Sequence, residues 1–139
     1  MPFLLDANVL CESSKPQPDK AVLDWLAVHD AYLRVSALTL VEMVKGIHLM
    51  DHGKRRNQIK AWFDRIDRWS AGRVLSLDSL TMRRWGAFYA KHQRAGRKLN
   101  VMDSLIAATA LEHQLTLVTR NTRDFPNDIT LLNPWETTA

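Results

Sequence analysis

Four acidic side chains stand where they could act together on one ligand. Asp6 directly follows the short apolar run at residues 3–5, and Glu42 lies a few residues beyond a second apolar segment. Asp103 lies near the start of a third apolar segment. Asp124 ends the polar run that follows the last long apolar segment. An ionised carboxylate behind a buried strand is costly unless it is paired or bound to a cation. The pattern therefore indicates a cation site or, for Asp6 alone, an ordinary helix N-cap.

A cluster of these acids would need a cation, because ionised carboxylates packed together repel one another. Oxygen-only ligands select a hard ion, Mg²⁺ or Mn²⁺, which keeps several waters and accepts phosphate oxygens. Such an ion polarises a scissile phosphate and lowers the pKa of an attacking water, and two ions about 3.5–4 Å apart can share these tasks. None of the five histidines is beside the acids in sequence, so no zinc site is expected. Taken alone, Asp103 also fits an ordinary acid in the first turn of a helix.

The elements that must position the acids alternate between strand and helix. Apolar runs predict strands near residues 3–5, 31–37, 73–77, 115–119 and 129–132, and helical periodicity predicts helices near 8–15, 20–29, 38–50, 54–70, 79–95 and 101–114. This order predicts an α/β fold, a three-layer α/β/α sandwich with a mainly parallel sheet of four to five strands. Ligands of such sheets bind at the carboxyl ends of the strands. All four acids can reach that edge.

Length and composition suit one domain over residues 1–139, because 46% of the residues are apolar. The single cysteine, Cys11, excludes an internal disulfide, suits a reducing cytoplasm and is expected to be a small buried side chain. The first ten residues lack the basic region of a signal peptide. No apolar run approaches the roughly 20 residues that span a bilayer. We therefore expect a cytoplasmic protein without a membrane partner.

Charge is distributed unevenly along the chain. Residues 54–98 contain 13 Lys and Arg against three Asp, a local charge of +10, whereas the rest contains six bases against 12 acids, a charge of −6. This division suits a polyanion bound around an acidic, metal-filled site, although a solvated helix face gives the same pattern. The helix expected at residues 79–95 is amphipathic, with Leu80, Met82, Trp85, Phe88 and Tyr89 on one side. Of these, Trp85, Phe88 and Tyr89 are expected in the core or at a subunit interface.

Four segments in this order resemble a known family. They are FLLDANVL at residues 3–10, SALTLVEMVKGI at 36–47, MDSLIAATALEH at 102–113 and LTLVTRNTRDF at 115–125. The chain resembles the PIN-domain ribonucleases of the VapC toxin type, with the FitB-like subgroup as the nearest match. The resemblance implies a Mg²⁺-dependent endoribonuclease that acts as the toxin of a type II toxin–antitoxin module.

The resemblance also assigns roles to individual side chains. The first three acids of the family are metal-site carboxylates, which implies Asp6, Glu42 and Asp103 here. A fourth acid commonly follows the Thr-Arg pair of the last segment, but this chain has Asn121 there and an acid, Asp124, three residues later. Asn121 could bind a metal-bound water, and Asp124 could supply the charge from an outer shell.

Further residues are expected to support the site and the substrate. Asn8 and Thr119 would be polar support for the acids, and Arg120 and Arg123 would hold flanking phosphates. The substrate would be RNA bound along the basic helices of residues 54–98. Single-stranded regions are the expected target, because only unpaired bases can be splayed out and recognised.

The resemblance implies protein partners as well. Toxins of this type form homodimers and larger toxin–antitoxin hetero-oligomers with a cognate VapB-like antitoxin, whose C-terminal segment covers the acidic pocket. An antitoxin Arg or Lys among the carboxylates would replace the charge of the metal. Operator DNA would be bound only through the antitoxin. The helices around residues 43–50 and 62–69 are the expected places for dimer and antitoxin contacts.

Two other functions remain compatible with parts of the sequence. A phospho-acceptor receiver domain shares the parallel α/β architecture, but it needs an acid pair after the first strand and a Lys after the last one, which this chain lacks. A non-catalytic RNA- or partner-binding module with a PIN-like fold is the second alternative. Asn121 in place of an acid is the feature that favours it.

Overall fold

The computed structural model describes residues 2–136, and in this range strands and helices alternate as predicted. The strands are β1 (Phe3–Leu5), β2 (Leu33–Ser36), β3 (Val74–Leu75), β4 (Thr116–Val118) and β5 (Leu131–Leu132). The helices are α1 (Ala7–Leu10), α2 (Lys20–Val28), α3 (Ala37–Leu49), α4 (Lys54–Trp69), α5 (Ser79–Arg94) and α6 (Val101–Glu112). Short 3₁₀ segments at Cys11–Ser14, Asp30–Tyr32 and Thr122–Asp124 complete the elements of this range.

The five strands form one all-parallel sheet in the order β3-β2-β1-β4-β5, which confirms the predicted fold class. Strand β1 lies at the centre, where Leu5 is in register with Val35 of β2 and with Val118 of β4. The chain leaves β1 toward β2 and β3, and later continues on the opposite side with β4 and β5. Strand order therefore reverses between β1 and β4, and open α/β sheets bind ligands in the crevice at that point.

Apolar side chains on both faces of the sheet form the core. Because successive residues of a strand point to opposite faces, Leu4 and Leu5 enter different clusters. Leu4 packs with Leu117 and the buried side of α5 and α6, whereas Leu5 packs with residues of α1 to α4. Both faces are thus covered by helices, as a parallel sheet requires.

Polar side chains fix where the longer helices begin. The cap residues Asp19, Ser36, Asp78 and Asn100 each accept a hydrogen bond from a backbone N–H in the first turn of α2, α3, α5 and α6, respectively. Four strands, β2 to β5, are shorter than the sequence predicts. Residues 31–32 belong to a 3₁₀ turn instead of β2, and β3 contains only two paired residues because it lies at the edge of the sheet.

Only part of the predicted apolar side of α5 is buried. Phe88 is buried, whereas Leu80 and Met82, which were predicted on the same side, are 58% and 41% exposed. The buried residues of α5 are Thr81, Phe88 and His92, which follow one another at helical spacing. Leu80 and Met82 lie about 100° to either side of Thr81, so they point away from this side.

Among the helices of residues 2–136, none combines the length and the apolar character that crossing a lipid bilayer requires.

The two leucines on β4 and α5 provide a test of this packing. Leu117 is fully buried against Leu4, so Leu117→Ala is expected to lower the free energy of unfolding by about 2–5 kcal/mol. Leu80→Ala, at the exposed position, should change it by less than about 0.5 kcal/mol. Urea denaturation of both variants measures the difference, and equal losses would contradict the packing described here.

Candidate active site

Asp6 lies at the carboxyl end of β1, at the point where strand order reverses. Its backbone N–H donates to the Val118 carbonyl, 2.9 Å away, which continues the pairing of β1 with β4. Its carboxylate is 8% exposed and accepts two hydrogen bonds of 2.8 Å, at Oδ1 from the Ala7 N–H and at Oδ2 from the Thr119 hydroxyl. Asp6 is therefore both the N-cap of α1 and a carboxylate directed across the sheet edge, so the two interpretations of this residue hold together.

Thr119 connects the ends of the two central strands through its hydroxyl. The group donates to Asp6 Oδ2 and accepts from the Asn8 side-chain amide at 3.3 Å and from the Asn121 N–H at 3.1 Å. A hydroxyl has one donor and two acceptor sites, so its full hydrogen-bonding capacity is used. Asn8 Oδ1 in turn accepts the Arg120 N–H at 3.3 Å. Asn8 and Thr119 thus link Asp6 to the end of β4, whereas their role as support for a metal site stays a prediction.

Glu42 and Asp103 reach the same site from two helices. Glu42 lies in the second turn of α3, which begins directly after β2, and Asp103 lies in the first turn of α6, where its N–H donates to Asn100 Oδ1. Burial, and then the nearby charges of Asp6 and Asp103, raise the pKa of Glu42 above its ordinary value, while Lys45 opposes the rise. Burial, and then the charges of Asp6 and Asp124, raise the pKa of Asp103. The four predicted acids thus act electrostatically on one another.

Asn121 and Asp124 differ in their relation to these acids. Asp124 is exposed at the end of the 3₁₀ segment, and its charge contributes to the raised pKa of Asp103. Asn121 contacts the hydrogen-bond network of Asp6 and Thr119 through its backbone, whose N–H donates to the Thr119 hydroxyl. Asp124 therefore belongs to the acidic cluster electrostatically, whereas a role of the Asn121 side chain remains a prediction.

The donor set fits a hard divalent cation, since carboxylates with amide and hydroxyl neighbours are the ligands that Mg²⁺ and Mn²⁺ prefer. In the described part of the chain, no three His, Cys, Asp or Glu side chains stand close enough together to hold one ion as they are placed. Burial, and then mutual repulsion, raise the pKa of Glu42 and Asp103, so their ionised forms are disfavoured without a cation. A cation would relieve that repulsion and let the carboxylates converge.

An apolar cavity opens beside Glu42 between α1, α3 and α4. Its volume is about 450 Å³, and its wall includes Met43, Ile47, Ile59 and Trp62. Cys11 also lines it as a half-buried thiol whose pKa is raised, chiefly by burial, so it is not an activated nucleophile.

Sequence reasoning did not find two buried polar groups. Glu12 is buried, forms an ion pair with Lys15 at 2.8 Å and accepts the Asp19 N–H at 2.8 Å, and the bond from Lys15 is the largest influence that lowers the pKa of Glu12. It holds the segment between α1 and α2 and is not part of the acidic site. His92, buried against Asp128, is the other. The i,i+3 spacing of Glu12 and Lys15 could have indicated their ion pair from the sequence. No local pattern could have indicated the contact of His92 with Asp128, because these residues are 36 positions apart.

Comparison with known proteins identifies relatives over almost the whole chain. The family model described as PIN domain matches residues 3–127. Toxin FitB from Neisseria gonorrhoeae is 35% identical over 138 residues, which cover 96% of this chain and 98% of that protein. VapC ribonuclease Y4jK from Sinorhizobium fredii is 35% identical over 137 residues, with 96% and 98% covered.

A solved structure resembles this fold closely. The structure of FitAB bound to an IR36 DNA fragment contains a chain that superposes with a TM-score of 0.85 at 32% identity, covering 99% of this chain and 98% of that chain.

The Thr119 hydroxyl provides the first test of the site. Thr119→Val removes the bond to Asp6 and leaves two N–H donors without their acceptor, so the free energy of unfolding should fall by about 1–3 kcal/mol. Thr39→Val is the matched control, because Thr39 is equally buried and its hydroxyl has no recorded hydrogen-bond partner in residues 2–136. Urea denaturation should find the control neutral or stabilised. Equal losses in both variants would contradict the network.

Glu42 provides the second test, which depends on pH. A carboxyl whose folded pKa is raised reduces stability as pH rises from its unfolded value through its folded value. Glu42→Gln should therefore raise the melting temperature at pH 7 in EDTA, and the gain should disappear below pH 4, the region of the unfolded pKa. Asp64→Asn, at an exposed position of α4, is the control. A gain of the same size at both pH values would contradict the raised pKa.

Proposed function

The chain belongs to the PIN-domain family, among the VapC- and FitB-like toxins of type II toxin–antitoxin systems, and we propose that it is a divalent-metal-dependent endoribonuclease. One observation carries the proposal, namely that Asp6, Glu42 and Asp103 interact electrostatically at the carboxyl edge of a parallel sheet. Two of them have a raised pKa, which is typical of groups arranged for catalysis or for metal binding. We also propose that one PIN domain accounts for residues 1–139.

In this proposal Asp6, Glu42 and Asp103 hold Mg²⁺ or Mn²⁺ directly. Asp124 acts as an outer acid beside Asp103, and Asn121 is available to a water at the rim. When bound, such an ion polarises the scissile phosphate, neutralises charge in the transition state and lowers the pKa of the attacking water.

The residues around the acids prepare them for this task. The Thr119 hydroxyl and the Ala7 N–H fix the two oxygens of Asp6, so this carboxylate keeps one orientation without a ligand. Glu42 and Asp103 must be ionised to take part, and their raised pKa makes them better proton acceptors than ordinary carboxylates. The raised values are expected to fall toward the ordinary range once positive charge is present.

We propose RNA as the substrate, bound along the basic surface of the molecule. Arg120 and Arg123 are exposed in the segment after β4 that leads to Asp124, where they can hold flanking phosphates. The Arg120 guanidinium lies over the Trp135 ring, 4.9 Å from its centroid, which limits its motion. On α4 and α5 the exposed bases include Lys60, Arg65, Arg68, Arg83 and Arg94.

A cognate antitoxin is the proposed protein partner. The 450 Å³ cavity begins at Glu42 and continues as an apolar channel between α3 and α4, where Met43, Ile47 and Ile59 offer contacts to an apolar segment. An Arg or Lys at the end of such a segment would reach the acids and replace the cation. These contacts lie in the helices that the sequence indicated for partner binding.

Larger assemblies follow from the same relatives. Exposed apolar residues of α3, Val41, Val44 and Leu49, are available for a homodimer or for toxin–antitoxin hetero-oligomers. Because the related FitAB structure is bound to DNA, we propose that operator DNA is contacted through the antitoxin and not by this chain alone.

Cleavage of RNA in vitro tests the proposal. The parent protein should cleave single-stranded RNA with MgCl₂ and lose activity in EDTA. Asp6→Asn and Asp103→Asn should each lower the rate by about 100-fold or more, and Asp124→Asn by less, because losing an outer-shell partner costs about 10–100-fold. Asp64→Asn, on the exposed side of α4, should cleave like the parent.

Two results would contradict the mechanism: full activity of Asp6→Asn, or cleavage that EDTA does not change. RNA binding without cleavage by the parent, at every divalent ion tested, would favour the non-catalytic module that Asn121 suggests.

A further inference from the structure

A concave surface with nucleotide-binding chemistry lies at the C-terminal end of α5. Its volume is about 290 Å³, and it is lined by Tyr89, Gln93, Gly96, Arg97 and Lys98. It thus combines an aromatic ring, an amide and two cations, and no acid is among its lining residues. Aromatic rings and Arg stack on unpaired bases, amides bind base edges, and cations bind phosphates.

The turn that carries this surface is closed by backbone hydrogen bonds, since α5 ends in a Schellman motif. The Arg97 N–H donates to the His92 carbonyl at 2.9 Å, and the Gly96 N–H donates to the Gln93 carbonyl at 3.0 Å. Gly96 has a φ of +78°, a conformation that suits glycine. In such motifs the first and last residues usually make an apolar contact. Here they are His92 and Arg97, so a polar contact replaces the apolar one.

That polar contact orients the arginine. His92 is 1% exposed, and Arg97 Nη1 lies 2.9 Å from its Nδ1. Arginine can only donate, so Nδ1 accepts and the ring proton is on Nε2, which faces the Asp128 carboxylate at 3.1 Å. Asp128 is also paired with Lys91 at 3.1 Å. A buried histidine and a carboxylate thus hold one N–H of Arg97 and leave its other donors for a ligand.

The surface adjoins the acidic site along the chain on two sides. Residues 96–98 lead into Asn100, the N-cap that binds the Asp103 N–H. Asp128, which holds His92, follows Asp124 by four residues, and the two acids Asp103 and Asp124 line a common crevice with Asn100. A strand of RNA whose phosphate lies at the acids can therefore continue over α5.

We propose that Tyr89, Gln93, Arg97 and Lys98 bind one nucleotide of single-stranded RNA next to the scissile phosphate, with Arg97 positioned by His92. The proposal rests on the ribonuclease function and names a subsite of its substrate. Tyr89 supplies a ring for the base, Gln93 contacts its edge, and Arg97 with Lys98 binds the backbone. Arg97 is a binding residue, whereas His92 and Asp128 are positioning residues.

Binding of a fluorescein-labelled oligouridylate, measured by anisotropy in EDTA, tests this subsite. All proteins carry Asp6→Asn, so that no RNA is cleaved during the measurement. Arg97→Gln should weaken binding by about tenfold or more, because it removes charge-assisted hydrogen bonds, and the salt dependence of log K should become shallower by about 0.7. Tyr89→Leu keeps an apolar side chain but loses stacking, and should weaken binding by about fivefold or more.

Lys20→Gln is the charge control, because Lys20 is an exposed base of α2 that lies outside residues 54–98 and does not line the surface. It should change affinity by no more than about twofold. Equal effects of Lys20→Gln and Arg97→Gln, or normal affinity of Tyr89→Leu, would overturn the proposal, because both results indicate only general attraction between a basic protein and RNA.

His92→Gln tests the positioning role in a double-mutant cycle. It should weaken binding in the parent but add nothing once Arg97→Gln is present. An equal loss in both backgrounds would show a merely structural role. If His92→Gln does not fold, which circular dichroism will show, the Arg97 and Tyr89 variants still decide the proposal. Binding is measured without metal and does not depend on cleavage. If the ribonuclease function is wrong, the parent protein does not cleave RNA, whatever the binding assay shows. If only the subsite is wrong, the parent cleaves RNA and the Arg97 and Tyr89 variants bind it normally.

Discussion

The hydrogen bond from the Thr119 hydroxyl to Asp6 is the interaction on which the site depends. It joins the ends of β1 and β4, the two neighbouring strands from which the chain continues in opposite directions across the sheet. Around it, Asn8 and the Asn121 N–H complete the hydroxyl's bonding, so the polar ends of both strands are fixed together. A buried carboxylate without such partners would destabilise the sheet at its centre. With them, both oxygens of the Asp6 carboxylate are hydrogen-bonded and its direction is fixed.

The remaining acids stay near Asp6 because the apolar layers hold them there. Carboxylates that raise one another's pKa oppose folding, and nothing polar in the described residues joins Glu42 directly to Asp6. Helix α3 is held against α1 and α4 by Met43 and its neighbours in the core, and α6 lies close to the sheet because its buried residues, such as Ala107, are small. Burial of apolar surface on both faces of the sheet thus offsets the electrostatic repulsion between the acids, which the proposed metal binding requires to lie close together.

The sequence predicted the fold class and the acids because both are local signals. Asp6 stands directly after an apolar run and Asp103 in a first helical turn, and a parallel sheet brings such positions to one edge. The positions of Leu80 and His92 could not be predicted in this way. The side of α5 that is buried depends on α6 and on the segment around Asp128, and the sequence pattern of one helix does not contain these contacts. Apolar character favoured Leu80, but the packing of α6 placed Thr81 and His92 inside.

Position 121 holds an amide, and the nearest following acid is Asp124. Asn121 caps the 3₁₀ turn Thr122–Asp124, and the Asp124 N–H donates to the Asn121 carbonyl at 3.0 Å. This bond closes the turn and keeps Asp124 close enough to Asp103 for its charge to raise the pKa of that carboxyl. A further negative charge therefore acts on Asp103 although the residue after Arg120 is uncharged.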